Sequence, residues 1–155
     1  MTQLTLDKAQ TVVTAALAHA REKKMAPMGV AVLDARGVLK AYAAEDGTAL
    51  RRADIAIGKA YGALAMGVGS RTLGKRAVER PHFIGAVNNA IGGSMIPVAG
   101  GVLIRGDDNS IIGCVGVIEG VAVGLGSSGL LGRATIWYSP SDPPLARTKL
   151  SEKLP

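Results

Sequence analysis

The strongest constraint on the fold is a pair of short apolar segments, each followed across a polar turn by a second apolar segment. The first segment, MGVAVLD at residues 28–34, is rich in valine and short enough for a buried strand. The turn at residues 35–37 and the apolar residues 38–44 that follow it predict a β-hairpin. Residues 102–105 and 111–117 repeat this arrangement across a second polar turn. We therefore expect two hairpins of antiparallel strands.

Apolar residues with helical spacing occupy the rest of the first 90 residues. They recur at this spacing over residues 6–20, where Thr5 stands in position to cap the helix. A second long helix is predicted over residues 49–66, and shorter helices over residues 70–80 and 83–90. The order of helix, hairpin, helices and hairpin predicts an α+β fold, in which helices pack on the faces of an antiparallel sheet.

Length and composition indicate one folded domain followed by a different kind of segment. A chain of 155 residues is about the size of a single domain, and its low aromatic content of 3% requires a core of small and aliphatic residues. Seven glycines fall between Gly113 and Gly132, and residues 139–155 are polar and rich in proline. We expect a domain over residues 1–117 and an extended or disordered segment over residues 118–155.

The net charge of +6 is concentrated in one part of the chain. Seven Lys or Arg residues lie between Arg51 and Arg80, against only two acidic residues. Such a stretch attracts anions, but Tyr61 is its sole aromatic residue, and no nucleic-acid motif is present. A solvated basic face or the rim of an anion pocket is therefore favoured over a nucleic-acid partner. Since the chain has neither an apolar run of roughly 18 residues nor a signal-peptide pattern, we expect a cytoplasmic protein with no membrane span.

The cysteine and the histidines give little support for a metal site. Cys114, the single cysteine, lies in an apolar run and is predicted to be a buried, inert thiol. The two histidines, His19 and His82, are not spaced as metal ligands, so no metal site is predicted.

The candidate ligand site combines a lysine with a glycine-rich loop. Lys59 stands on an otherwise Ala- and Ile-rich helix, where it serves either a structural role or the binding of a carboxylate. The loop at residues 92–101 contains glycines whose backbone amides can approach an anion closely, although turn geometry alone also explains them. We predict a pocket between this helix and this loop, with no catalytic residue assigned. Its predicted ligand-binding residues are Lys59, His82, Asn88, Gly100 and Gly101.

Four segments in this order resemble a known family: LTLDKAQ, GVAVLDARGVLKAYAAEDGT, DIAIGKAYGAL and PVAGGVLIRGDDNSIIGCVGV. Over residues 4–117 the chain resembles the GlcG-like or haem-degrading domain family, which includes the haem-binding HbpS proteins. It is also similar to the C-terminal domain of PduO-type cobalamin adenosyltransferases. The resemblance implies a profilin-like domain with about five antiparallel strands, assembled as a homo-oligomer. The polar, acidic C-terminal helix usual in the family has no counterpart in IEGVAVGLGSSGLLGRATIWYSP.

The function expected from these observations is the binding of a small anionic ligand, with haem as a possible cofactor. The resemblance implies haem, and the basic residues and the glycine loop suit any small anionic metabolite. Two alternatives stay open. One is a small enzyme acting on a carbonyl or carboxylate metabolite, with Lys59 as anion binder or base and His82 as acid or base. The other is an accessory subunit of a metabolic enzyme.

Overall fold

The computed structural model describes residues 3–119 of the chain. Its elements follow in the order α1 (Leu6–Glu22), β1 (Met28–Asp34), β2 (Leu39–Ala44), α2 (Arg52–Met66), α3 (Ser70–Glu79), α4 (Pro81–Ala90), β3 (Gly101–Arg105) and β4 (Ile111–Glu119). Each predicted helix and strand is confirmed, with bounds that differ by a few residues. The segment expected to be extended or disordered lies outside the described residues, apart from its first two positions, which continue β4.

The strands form one antiparallel sheet in the order β2-β1-β4-β3. Helix α1 packs against β1 and β2, whereas α2 packs against β1, β3 and β4. This arrangement confirms the α+β class and the antiparallel sheet with helices on its faces. The described residues supply four strands where about five were predicted, and the profilin-like architecture stays a prediction. No helix among residues 3–119 has the length and apolar character needed to cross a membrane.

Strand β1 lies between the two helical layers and is buried along its whole length. Met28, Val30 and Val32 join the core cluster that contains the buried face of α1. Leu33 points to the other side of the sheet, where it packs with Cys114 and α2. Because successive side chains of a strand alternate between its faces, coverage on both faces requires a continuous apolar sequence, as MGVAVLD provides.

Helix α1 has the start that its sequence predicts. The Oγ1 atom of Thr5 accepts a hydrogen bond of 3.3 Å from the backbone N–H of Lys8, which satisfies a donor that the first turn leaves unpaired. Beyond the helix, Lys24 adopts a positive φ of 53° and turns the chain toward β1. The helix buries a stripe of small residues at helical spacing: Ala9, Val13, Ala16 and Ala20.

Helix α2 lies unusually close to the sheet because glycines face it. A Cβ atom placed on Gly116 of β4 would collide with the carbonyl oxygen of Ala56, and one on Gly101 of β3 would collide with the carbonyl oxygen of Lys59. The helix backbone therefore rests directly on the strand backbones, with no side chain between them at these two points. This contact sets the distance between the backbone of α2 at Lys59 and the sheet.

Candidate anion-binding site

Lys59 is buried in the middle of α2, with 3% of its surface exposed. Its Nζ atom donates a hydrogen bond of 3.1 Å to the carbonyl oxygen of Val117 in β4. Desolvation, reinforced by the positive charge of Arg52, lowers the pKa of Lys59 to about 8. No acidic residue within 3–119 forms an ion pair with Lys59. Lys59 is thus directed away from solvent, and its role as a ligand-binding residue stays a prediction.

Gly100 packs against the Lys59 ammonium group. The backbone of Gly100 has a φ of +125°, and a Cβ atom at this position would lie 3.1 Å from Nζ of Lys59. The carbonyl oxygen of Gly100 accepts a hydrogen bond of 2.8 Å from the N–H of Val117. Val117 thus contacts both residues: its carbonyl oxygen accepts a hydrogen bond from Lys59, and its N–H donates one to Gly100. Position 100 therefore requires glycine, because the backbone has a positive φ and because a side chain would collide with Lys59.

Ser70 is a buried member of this neighbourhood that the sequence marked only as a helix start. It is fully buried at the first position of α3, and its Oγ atom accepts a hydrogen bond of 2.6 Å from the N–H of Gly101. Gly101 in turn lies against the carbonyl group of Lys59. Ser70 therefore ties the start of β3 to α3 beside the lysine, and it acts on the site by positioning the glycine pair.

Asn88 shapes the loop that precedes β3. Its Oδ1 atom accepts a hydrogen bond of 2.8 Å from the N–H of Met95. The next residue, Ile96, donates its N–H to the carbonyl oxygen of Gly58 in α2, at 3.1 Å. These two bonds hold the loop against α2 at Gly58, the residue that directly precedes Lys59. The predicted ligand contact of Asn88 stays a prediction, and the observed contact gives this residue a role in positioning the loop.

His82 lies apart from this group of residues. It is exposed in the first turn of α4, and none of the contacts found within residues 3–119 joins it to Lys59, Gly100 or Gly101. The structure thus brings together three of the predicted residues, with Asn88 supporting the loop between them. A ligand role for His82 stays a prediction.

Arg52 is a second cation near the site, and the sequence analysis did not single it out. Its Nε atom is buried and has no hydrogen-bond partner among the described residues. The neighbouring Arg51 is largely exposed and pairs with Asp54 at 2.8 Å. Two adjacent arginines at a helix start suggest a solvated basic pair. Its spacing from Lys59 would have pointed to Arg52, because a residue seven positions before the lysine shares its face of the helix.

Cys114 confirms the prediction of a buried thiol. It is fully buried in β4, and desolvation raises its pKa to about 12. The thiolate needed for nucleophilic or metal chemistry is therefore negligible near neutral pH. Among residues 3–119, no three His, Cys, Asp or Glu side chains cluster in a way that would hold a metal ion.

Taken together, these features define a small α+β domain with a buried lysine that has no acidic partner within residues 3–119 and lies between a helix and a glycine-rich strand start. Residues 4–121 match the family described as haem degrading protein HbpS-like, so the chain belongs to the HbpS-like family. This confirms the resemblance seen in the four sequence segments. No curated protein sequence gives a significant match to the chain.

Solved structures of similar fold include several members of this group. A double mutant of Streptomyces reticuli HbpS is 24% identical, with 76% of this chain and 75% of that chain covered and a TM-score of 0.64. The PduOC complex with haem is 21% identical, with 77% and 85% covered and a TM-score of 0.66. Klebsiella pneumoniae protein ORFY is 23% identical, with 77% and 81% covered and a TM-score of 0.67. At these identities the likeness shows the fold.

Proposed function

We propose that this protein binds a small anionic ligand, haem or another carboxylate-bearing molecule, through the ammonium group of Lys59. The observation that carries the proposal is a buried cation without an acidic partner among the described residues. A charged group in a low-dielectric interior is unfavourable unless an opposite charge accompanies it. A ligand carboxylate would supply that charge.

The hydrogen-bonding capacity of Lys59 also supports a ligand. An ammonium group has three N–H donors, and the carbonyl oxygen of Val117 accepts from one of them. The remaining donors suit the two oxygens of a carboxylate. Gly100 and Gly101 keep the surrounding wall free of side chains, so that backbone approaches the charged group closely.

Family membership and the haem complex of PduOC make haem the first ligand to test. In this proposal a haem propionate would pair with Lys59, and His82, which lies apart from Lys59 on α4, would be the candidate ligand of the iron because its exposed imidazole is accessible. A homo-oligomer in the cytoplasm is part of the same proposal. The arrangement leaves Asn88 as the residue that sets the position of the loop.

The test is a haem titration of protein purified without added cofactor, followed through the Soret band. We expect a saturable, stoichiometric shift in the wild type and an affinity about tenfold weaker in Lys59→Met. Lys75→Met, at an exposed lysine of α3, is the matched control and is expected to bind like the wild type. His82→Ala is expected to change the position of the band. The absence of a saturable shift would remove haem, and unchanged affinity in Lys59→Met would remove Lys59 as the anion contact.

A second candidate function is an enzyme acting on a carbonyl metabolite, and the pKa of Lys59 favours it. With a pKa of about 8, a sizeable fraction of the amine is neutral near pH 8 and is able to act as a base or nucleophile. The neutral amine would add to an aldehyde or ketone and release water to give an imine. Reduction with cyanoborohydride in the presence of pyruvate, followed by peptide mass analysis, tests this candidate. An adduct on Lys59 would support it, and an unmodified Lys59 would contradict it.

A further inference from the structure

We infer that Arg52 is the second cation of the Lys59 site and that the two side chains together select ligands with two acidic groups, such as dicarboxylates. The inference rests on the proposed function, because it takes Lys59 as the first anion contact. It adds a specificity residue and a class of ligand to that function.

Both cations belong to the same face of α2. Arg52, Ala56 and Lys59 follow one another at helical spacing of four and three residues, and this face meets the sheet where Ala56 lies over Gly116. Helical side chains lean toward the N-terminus of their helix, so the long side chain of Lys59 runs back toward Arg52. The hydrogen bond from Nζ to Val117, one residue beyond Gly116, places the lysine there.

Arg52 lies against the start of β1, the strand that pairs with this end of β4. A Cβ atom on Gly29 would lie 3.6 Å from Cβ of Arg52 and 3.3 Å from Cγ2 of Ile118. Gly29 is the register partner of Ile118, which directly follows Val117 in β4. Arg52 therefore starts beside the pair formed by Gly29 and Ile118, and the ammonium group of Lys59 binds the neighbouring residue of β4, Val117. A single ligand at this end of the strand would reach both cations.

Neither cation has an anionic partner within residues 3–119. Desolvation and then the charge of Arg52 lower the pKa of Lys59, which shows that the two positive charges act on one another unfavourably. The buried Nε–H of Arg52 also has no acceptor among the described residues, and folded proteins seldom retain such an unsatisfied donor. A ligand with two acidic groups would neutralise both charges and satisfy this donor, whereas a monocarboxylate would leave one cation unpaired.

Tyr42 indicates the side from which the ligand enters. Its hydroxyl oxygen would lie 3.3 Å from a Cβ atom on Gly29, so it borders the same point of the sheet as Arg52. The side chain of Tyr42 is 37% exposed, whereas Lys59 is buried. In this inference the ligand enters from the β2 edge, past Tyr42 and Arg52, with Lys59 at the inner end of the site. Arginine suits the outer position, because its planar guanidinium group binds a carboxylate through two parallel hydrogen bonds.

The test measures binding of acetate, malonate, succinate and glutarate by calorimetry at pH 7 and constant ionic strength. We expect at least one dicarboxylate to bind the wild type about tenfold more tightly than acetate. Arg52→Gln is expected to remove this preference, so that dicarboxylates and acetate bind the variant with affinities within about threefold of one another. Arg51→Gln, at the exposed neighbour that pairs with Asp54, is the matched control and is expected to retain the preference.

The outcomes separate this inference from the function on which it rests. A dicarboxylate affinity no greater than that for acetate, or an equal effect of Arg51→Gln and Arg52→Gln, would overturn the inference. If acetate or haem still binds and is lost in Lys59→Met, the proposed function survives that result. If the wild type binds neither haem nor any carboxylate, both fail. Should Arg52→Gln not fold, Arg52→Lys keeps the charge without the Nε donor and is expected to lower the preference at least about threefold.

Discussion

The Nζ atom of Lys59 lies 3.1 Å from the carbonyl oxygen of Val117, and this bond joins the middle of α2 to the end of β4. The paired residues of β3 and β4 include none beyond Gly101 and Gly116, so the carbonyl group of Val117 lies past the end of that ladder. A neutral donor would also satisfy this carbonyl oxygen, although an ammonium group makes the stronger hydrogen bond. The positive charge of Lys59 is therefore more than the fold requires, and its consequences are measurable.

The first consequence is a dependence of stability on pH. Burial and Arg52 lower the pKa of Lys59 from 10.5 to about 8, so between these values the unfolded chain binds a proton that the folded chain has released. The free energy of unfolding is therefore expected to rise with pH across this window, by at most roughly 3 kcal/mol from this group. Urea unfolding of the wild type and Lys59→Met at pH 7, 8, 9 and 10 isolates the contribution. A difference between the two proteins that stays constant with pH would contradict this assignment.

The second consequence concerns the stability of the ligand-free protein at pH 7. Methionine is similar in length to lysine and carries no charge, so Lys59→Met removes a buried cation that has no ionic partner within residues 3–119. This gain offsets the lost hydrogen bond to Val117, whose removal costs about 1–3 kcal/mol. We expect the free energy of unfolding of the variant to lie within about 1 kcal/mol of the wild-type value, or above it. A loss greater than about 3 kcal/mol would show that the charge itself stabilises the fold.

The close approach of α2 to the sheet predicts a strong dependence on one glycine. Gly116→Ala would place a methyl group against the carbonyl oxygen of Ala56, where backbone meets backbone, and is expected to cost several kcal/mol or to prevent folding. Gly85→Ala is the matched control, because a Cβ atom at this helical position meets nothing within 4 Å. The control is expected to gain about 0.5–1 kcal/mol from helix propensity. Thermal unfolding of both variants provides the comparison, and equal stabilities would contradict it.

The contacts of Asp34 in the first hairpin predict that the stability of the protein depends on pH in the acidic range. Burial alone would raise its pKa, but hydrogen bonds from the N–H groups of Val38 and Arg36, and the Arg36 guanidinium group, lower it further than burial raises it. A lowered pKa contributes stability above the unfolded pKa of about 3.9, and this contribution is lost as the pH falls through the folded value.

We therefore expect Asp34→Asn to cost about 1 kcal/mol at pH 7, with the difference from the wild type shrinking below about pH 4. Urea unfolding at pH 7 and pH 3 measures both values. Asp54→Asn removes a carboxylate from an exposed ion pair and is expected to change stability by less than about 0.5 kcal/mol. An equal effect of the two substitutions at pH 7 would show that the contacts of Asp34 contribute nothing specific.

Cys114 offers a direct probe of the core. As the single cysteine of the chain it gives an unambiguous signal, and its burial and raised pKa of about 12 protect it from thiol reagents. We expect no reaction with dithionitrobenzoate in the folded protein and one equivalent of reaction in urea. Rapid labelling without denaturant would contradict the packing of β4 beneath α2.

The fold was largely predictable because its signals are local. The hairpin turns, the Thr5 cap and the helical spacing of apolar residues are properties of neighbouring residues, and they located every element between residues 3 and 119. The first and last residues of the elements were predicted less closely. The second helix begins at Arg52 instead of residue 49, and β4 continues to Glu119 because it pairs with Met28 at the start of β1.

The site was only partly predictable, because burial at this point depends on contacts between distant segments. Lys59, Gly100 and Gly101 were identified from residue type and loop composition, and the structure brings them together. Ser70 and Arg52 were missed, since a serine at a helix start and an arginine beside another arginine are ordinary surface patterns. Their environment depends on the packing of α2 against glycines of β3 and β4. No local sequence pattern indicates this long-range contact.

The direct contact of the α2 backbone with Gly101 and Gly116 leaves this helix little freedom to slide or tilt. A ligand that draws Lys59 away from Val117 would therefore meet a fixed backbone, and the rearrangement would be confined to side-chain rotation. Such rotations occur within nanoseconds where side chains are free and cross small barriers compared with helix movement. Exchange of the ligand would then be governed by the making and breaking of its own ionic contacts rather than by opening of the domain.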